Sequence, residues 1–137
     1  MDSPINVLLI EDNPGDARRI REVLAEANEI SCCLLCADRL SSGIRQISDG
    51  GVDVVLLDLS LPDSRGIETF SKFHAQAKGL PIILLTGLED GNLAMRAVRE
   101  GAQNYLVKGD TTPRSLARAI RLAIERQTIR AASADTV

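Results

Sequence analysis

Tryptophan is absent from this 137-residue sequence, tyrosine occurs once and phenylalanine twice. With only Phe70, Phe73 and Tyr105 to offer a ring, recognition by stacked aromatics is poorly supplied, which counts against flat cofactors and single-stranded nucleic acid. A basic excess is also missing. Sixteen Lys and Arg stand against 19 Asp and Glu, a formal charge of -3, so nothing concentrates a nucleic acid or an anionic membrane, and direct binding to either is not expected. No apolar run approaches the roughly 18 residues that span a bilayer. The opening MDSPINVLLIEDN has no basic region ahead of its short apolar stretch, and the expected location is cytoplasmic.

The three cysteines, Cys32, Cys33 and Cys36, are odd in number and crowded together, which argues against a secreted disulfide framework. Cys33 and Cys36 have C-x-x-C spacing, but on a strand residues three apart point to opposite faces. Cys32 and Cys36 share a face yet lie roughly 13 Å apart at about 3.3 Å per residue. Buried core thiols are the expectation. The only histidine, His74, has no cysteine or acidic cluster beside it, so neither a zinc site nor a catalytic triad can be built around it.

What is present is a balanced globular composition, 45% hydrophobic and 26% charged, in a length that suits one domain. Apolar runs recur at Ile5 to Ile10, Ser31 to Ala37, Val52 to Leu57, Pro81 to Leu85 and Gln103 to Val107. Several are nearly continuous in Val, Ile and Leu, as strands covered on both faces require. Helical spacing fills the intervals. Ala17, Ile20, Val23, Leu24 and Ala27 follow the start signal Asn13-Pro14-Gly15-Asp16; Leu40, Ile44 and Ile47 precede Gly50-Gly51; Ile67, Phe70, Phe73 and Ala77 precede Gly79; Ala94, Ala97 and Val98 lie between Asp90 and Gly101. A fifth helix has Thr112 to cap it, Pro113 at its first position and a stripe of Leu116, Ala119, Ile120 and Ala123. Strict βα alternation implies parallel strands with right-handed crossovers: a doubly wound five-stranded parallel α/β sheet, flavodoxin-like order 2-1-3-4-5, with helices on both faces. The domain is expected over 1–127, with 128–137 a tail or the start of a helical linker.

In such sheets ligands bind beyond the carboxyl ends of the strands. Those ends read Glu11-Asp12, Ala37-Asp38, Asp58, Thr86-Gly87 and Lys108. If the first and third strands are neighbours, Glu11, Asp12 and Asp58 share one pocket. Their repulsion would raise at least one pKa unless positive charge intervenes. Lys108 supplies one charge, and a weakly held Mg²⁺ or Mn²⁺, ions that suit hard oxygen ligands and keep several waters, would supply two. Such a site can carry a phosphoryl group: Asp58 attacks in line, the cation and Lys108 neutralise the oxygens, Thr86 donates a hydrogen bond and Gly87 leaves room for a donor. Singly each residue reads as an ordinary polar loop position or helix cap; it is their joint occurrence on four strand ends that points to chemistry.

Over residues 3 to about 127 the sequence resembles the receiver domains of two-component response regulators, on the motifs LLIEDNPGDA, VVLLDLSLPDSRG, IILLTG and NYLVKGD. The resemblance implies an acidic pair Glu11 and Asp12, with Asp12 the more direct Mg²⁺ ligand, a phosphoacceptor at Asp58 and a metal-binding carbonyl at Ser60. It also implies a switch hydroxyl at Thr86, a rotating aromatic at Tyr105, a phosphoryl-contacting Lys108, and a turn at Pro62. Receivers commonly carry a proline after the lysine, in a cis peptide; here Gly109 follows, and the isomer of the Lys108–Gly109 bond is left open. The implied activity is signalling in a phosphorelay. A histidine kinase or phosphotransfer protein donates, the acyl phosphate later hydrolyses at the same site, and the surface of helix four, strand five and helix five changes. The reader is a downstream protein or an attached output module. The implied role is that of a self-phosphorylating carrier, not of a multiple-turnover enzyme.

Arg114, Arg118, Arg121 and Arg126 on helix five form either a solvated face or a surface for an acidic partner or homodimer. The helix ends in AIRLAIERQTIRAA, similar to receivers that continue through a helical linker. Three rival readings stay open: a receiver-like scaffold that is never phosphorylated, an FMN-binding module, and a phosphatase with an aspartate nucleophile. FMN lacks a glycine-rich phosphate loop here, and the phosphatase lacks a second Asp two residues after Asp58, where Ser60 stands.

Overall fold

In the computed structural model, which describes residues 4–135, five strands form one parallel sheet: β1 (Ile5–Ile10), β2 (Cys32–Ala37), β3 (Val54–Asp58), β4 (Ile82–Thr86) and β5 (Asn104–Val107), in the order β2-β1-β3-β4-β5. This is the expected topology. The connecting helices are α1 (Pro14–Glu26), α2 (Leu40–Ser48), α3 (Ile67–Gln76), α4 (Gly91–Arg99) and α5 (Pro113–Asp135). No helix among the described residues is long and apolar enough to cross a membrane.

Alternate residues of each strand point to opposite faces, and the core accordingly divides in two. On one face Val7, Leu9, Val54, Leu56, Ile83 and Leu85 pack against Ile20 and Leu24 of α1 and Leu116, Ile120 and Ala123 of α5. On the other, Leu8, Ile10, Val55, Leu57, Ile82 and Leu84 meet Leu40 of α2, Phe70 and Phe73 of α3, and Ala94 and Ala97 of α4. The central strands β3 and β4 are buried throughout, which is why they read as unbroken apolar runs. On the α2 side the helix lies close to β1: a Cβ at Gly43 would stand 2.4 Å from Ile10 Cδ1, so any larger residue there would force the Ile10 side chain to shift.

The cysteine expectation is corrected. Cys33 and Cys36 are exposed and Cys32 is half-buried, because β2 is an edge strand that the helices cover incompletely. The length of the last helix is a second difference. α5 continues to Asp135, so most of the expected tail is helical; residues 136–137 of that tail and 1–3 of the expected domain lie outside the described residues.

Capping follows the sequence in two places. Asn13 Oδ1 accepts from Asp16 N at 3.0 Å. Thr112 Oγ1 accepts from Ser115 N at 3.1 Å while Ser115 Oγ accepts from Thr112 N at 3.0 Å, a reciprocal box at the start of α5. In a third place the cap is remote. After Asp58 the chain makes a short antiparallel hairpin, Ser60–Leu61 against Ser64–Arg65, that turns at Pro62 and Asp63. The Asp63 carboxylate accepts from Leu40 N at 2.8 Å and Ser41 N at 3.0 Å, serving the first turn of α2 in place of Arg39, which makes no side-chain cap.

Candidate functional site

Strand register assembles the site. Ile10 pairs with Leu57, so Glu11 and Asp58, one step further along each strand, stand side by side at the carboxyl edge. Thr86 pairs with Val107, and Lys108 N donates to Thr86 O at 2.8 Å, which sets Lys108 beside the end of β4. The side chains converge on an open depression of about 310 Å³ lined by Glu11, Asp12, Asp58, Ser60, Gly87 and Lys108, with Asn13, Asp16 and Asp90 on its rim.

Within it the Lys108 ammonium meets three carboxylates. Nζ lies 2.6 Å from Asp58 Oδ2 and 3.1 Å from Asp16 Oδ2, and forms a close ion pair with Glu11 Oε1. Asp58 Oδ1 accepts from Ser60 N at 2.9 Å, so both oxygens of that carboxylate are held. Glu11, Asp12 and Asp58 each offer an oxygen within 4.8 Å of the others. An octahedral Mg²⁺ with ligands at roughly 2.0–2.1 Å draws its oxygens to about 3–4 Å of one another, a small adjustment from this arrangement. The donor set, all hard oxygen with Asp12 open to solvent, fits that ion.

The electrostatics agree with the crowding, with one change of emphasis. Burial, more than repulsion, pushes the Glu11 carboxyl up to about 8; the neighbouring Asp58 adds to the rise and Lys108 opposes it. Burial alone would lower Lys108, but Asp58 and Glu11 outweigh it and hold the ammonium above its ordinary range.

Thr86 is buried, and its Oγ1 has no hydrogen-bond partner among the described residues, a donor left over beside an anionic pocket. Tyr105 is not brought to the depression. Half-buried, it packs against the α4-side core and lines a separate open pocket with Met95, Val98, Arg99 and Asn104. The Lys108–Gly109 peptide is trans, and Gly109 takes φ +93°. His74 stacks on Phe70 with ring centroids 5.0 Å apart, remote from any acidic cluster.

Two residues of this neighbourhood escaped the sequence reading. Asp16 counted only as part of a helix start, yet it reaches Lys108; its position in the first turn of α1, four residues after Asp12, was the available signal. Asp63 stood unremarked after Pro62, and its bonds to α2 depend on tertiary geometry that no local pattern carries.

Known proteins share this fold. The family model of the response regulator receiver domain matches residues 7–134. The swarming motility regulation protein RssB of Serratia marcescens is 31% identical over 115 residues, 83% of this chain and 51% of that protein. The C4-dicarboxylate transport transcriptional regulatory protein DctD of Pseudomonas aeruginosa is 34% identical over 140 residues, 98% of this chain and 30% of that one. The chain thus spans about half or less of these relatives' length. Among solved structures, a response regulator receiver domain protein from Clostridium thermocellum superposes with TM-score 0.78 at 27% identity, covering 91% of this chain and 98% of its own. The signal receiver domain of an HD domain-containing protein from Pseudomonas fluorescens gives TM-score 0.80 at 25% identity, covering 95% and 93%. The chain belongs to the response regulator receiver domains, the phosphoacceptor signalling modules of two-component systems.

Proposed function

We propose that Asp58 takes a phosphoryl group from a phosphohistidine, presented by a histidine kinase or phosphotransfer protein, and that this domain itself carries out the transfer. The observation that supports the reading most is the Lys108 ammonium 2.6 Å from Asp58 Oδ2 inside a pocket of four further carboxylates. An Asp58 oxygen bonds to phosphorus as the P–N bond of the donor breaks, and the imidazole leaves with the bonding electron pair. Ser60 N–H orients the carboxylate. Glu11, Asp12 and Asp58, with the Ser60 carbonyl, would hold Mg²⁺, which when bound neutralises charge on the phosphoryl oxygens. Lys108 donates to one of those oxygens, and the Thr86 hydroxyl to another. In the return step water attacks phosphorus, the P–O bond to Asp58 breaks, and inorganic phosphate leaves.

The phosphoryl group adds close to two negative charges and three acceptor oxygens. Thr86 turns toward it, Tyr105 moves into the space released, and the α4–β5–α5 surface shifts its two-state equilibrium. A downstream protein or an attached output module reads that surface. The domain covers 1–127, and the remainder of α5 is a tail or the start of a helical linker.

Intact-mass measurement after incubation with acetyl phosphate and Mg²⁺ tests the reading. One phosphoryl group is expected on the wild type and none on Asp58→Ala. Labelling that persists in Asp58→Ala places the acceptor elsewhere, and an unlabelled wild type favours an interaction scaffold.

A further inference from the structure

Two contacts tie α1 to the loop after β5, and neither involves the acidic triad. Lys108 Nζ donates to Asp16 Oδ2 at 3.1 Å, and Arg19 Nη2 donates to Gly109 O at 2.9 Å. Asp16 and Arg19 are three residues apart, neighbours on one face of the helix. At the start of the turn they grip, Lys108 N donates to Thr86 O at 2.8 Å. Asp110 N and Thr111 Oγ1 both close onto Val107 O, but Gly109, at φ +93°, has no side chain, and nothing stands within 4 Å of where a Cβ would be. The Arg19 bond therefore pins the carbonyl one residue beyond the lysine, where backbone freedom is greatest.

Asp16 bears on the lysine itself. An ammonium has three N–H donors, and Lys108 faces three carboxylates: Glu11, Asp16 and Asp58. Glu11 and Asp58 also belong to the triad that fits a divalent cation; Asp16 does not. With a cation held there, Glu11 and Asp58 would be committed to it and the ammonium would be repelled, leaving Asp16 as the anchor of Lys108.

We infer that Asp16 and Arg19 are positioning residues, which together hold Lys108 over Asp58 while a divalent cation occupies Glu11, Asp12 and Asp58. The inference rests on the phosphoacceptor reading given above.

Charge alone predicts something different, and this makes the inference testable. Removing the acidic Asp16 makes the pocket less negative and should speed an anionic donor, whereas removing the basic Arg19 should slow it. Positioning predicts the same direction for both. Initial rates of phosphoryl labelling by acetyl phosphate with saturating Mg²⁺, followed by intact mass, should fall about tenfold in Asp16→Asn and in Arg19→Gln alike, a loss in keeping with a misplaced reacting group. Arg19→Lys, which keeps a donor for the Gly109 carbonyl, should recover much of the rate. Calorimetric titration with Mg²⁺ alone should show Arg19→Gln binding the ion as the wild type does. Rate changes of opposite sign in the two variants, or no change in either while the wild type labels, overturn the inference, as does a loss of Mg²⁺ binding in Arg19→Gln that accounts for its slower rate. A wild type that does not label at all refutes the phosphoacceptor reading first, and this inference with it.

Discussion

Lys108 Nζ donates to Asp58 Oδ2 at 2.6 Å across fifty positions of sequence. The contact joins the ends of β3 and β5, which are not adjacent in the sheet, so the lysine reaches past the end of β4. Removing it strands two buried carboxylates, Glu11 and Asp58. Lys108→Met should therefore destabilise the metal-free protein at pH 8 by about 1–3 kcal/mol, the usual cost of leaving a buried polar group unpaired. Denaturant unfolding checks this, and added Mg²⁺ should recover part of the loss.

The raised Glu11 pKa gives the metal-free protein a pH dependence of known sign. A carboxyl at about 8 in the fold and 4.5 when unfolded contributes stability below the unfolded value and loses it as pH rises through the folded one. The contribution of Glu11 should thus decline between pH 4.5 and about 8. Mg²⁺ needs the ionised form, so it should raise the thermal midpoint more at pH 8 than at pH 6. Glu11→Gln should flatten the pH profile over that window. Scanning calorimetry at several pH values, with and without Mg²⁺, measures both effects. Lys108, raised in the fold, contributes its stability below its unfolded value of 10.5 and loses it only above that pH.

Asp63 predicts an acid-side effect. Exposure leaves little burial to raise its carboxyl, and the Ser41 and Leu40 backbone N–H groups hold it below the usual carboxylate range. Its stabilisation is present above the unfolded value of 3.8 and is lost as pH falls through the folded value. Asp63→Ala should cost about 1 kcal/mol at pH 7, the typical worth of a helix N-cap. Exchange of the Leu40 and Ser41 amides, followed by NMR, should quicken with it.

Thr86 and Tyr105 can be tested together. Because Thr86 Oγ1 has no partner among the described residues, Thr86→Val should leave the unmodified protein as stable as the wild type or slightly more so. In the phosphorylated protein the variant should lose the change at Tyr105. With no tryptophan and a single tyrosine in the chain, near-ultraviolet absorbance and fluorescence in the tyrosine range report Tyr105 alone.

The exposed edge of β2 makes a chemical prediction. In the native protein a thiol reagent should modify Cys33 and Cys36 quickly and Cys32 more slowly, since Cys32 is half-buried and its thiol is raised by burial and by the adjacent Cys33. Peptide mapping after a short pulse distinguishes them.

The fold was legible wherever burial shapes the pattern. Val54 to Asp58 and Ile82 to Thr86 are central strands, and a strand covered on both faces has no choice but continuous apolar residues. The pocket was legible because the strand ends carry it: once β1 and β3 lie side by side, Glu11 and Asp58 must meet. Where one strand's position in the sheet decides a side chain's surroundings, local pattern misleads. Cys33 and Cys36 look like core residues by type, and only the edge location of β2 exposes them. Asp16, Arg19 and Asp63 act across contacts made 92, 90 and more than 20 positions away, which no periodicity encodes.

The central claim, that Asp58 is the residue that becomes phosphorylated, is tested most directly by trapping the acyl phosphate. Borohydride reduces an aspartyl phosphate to homoserine and leaves free carboxylates alone. After labelling with acetyl phosphate and Mg²⁺, reduction and trypsin digestion, the peptide spanning 46–65 should carry homoserine at position 58 and unaltered aspartate at Asp49, Asp53 and Asp63. Homoserine at any other position, or a phosphorylated protein that yields none, would contradict the account.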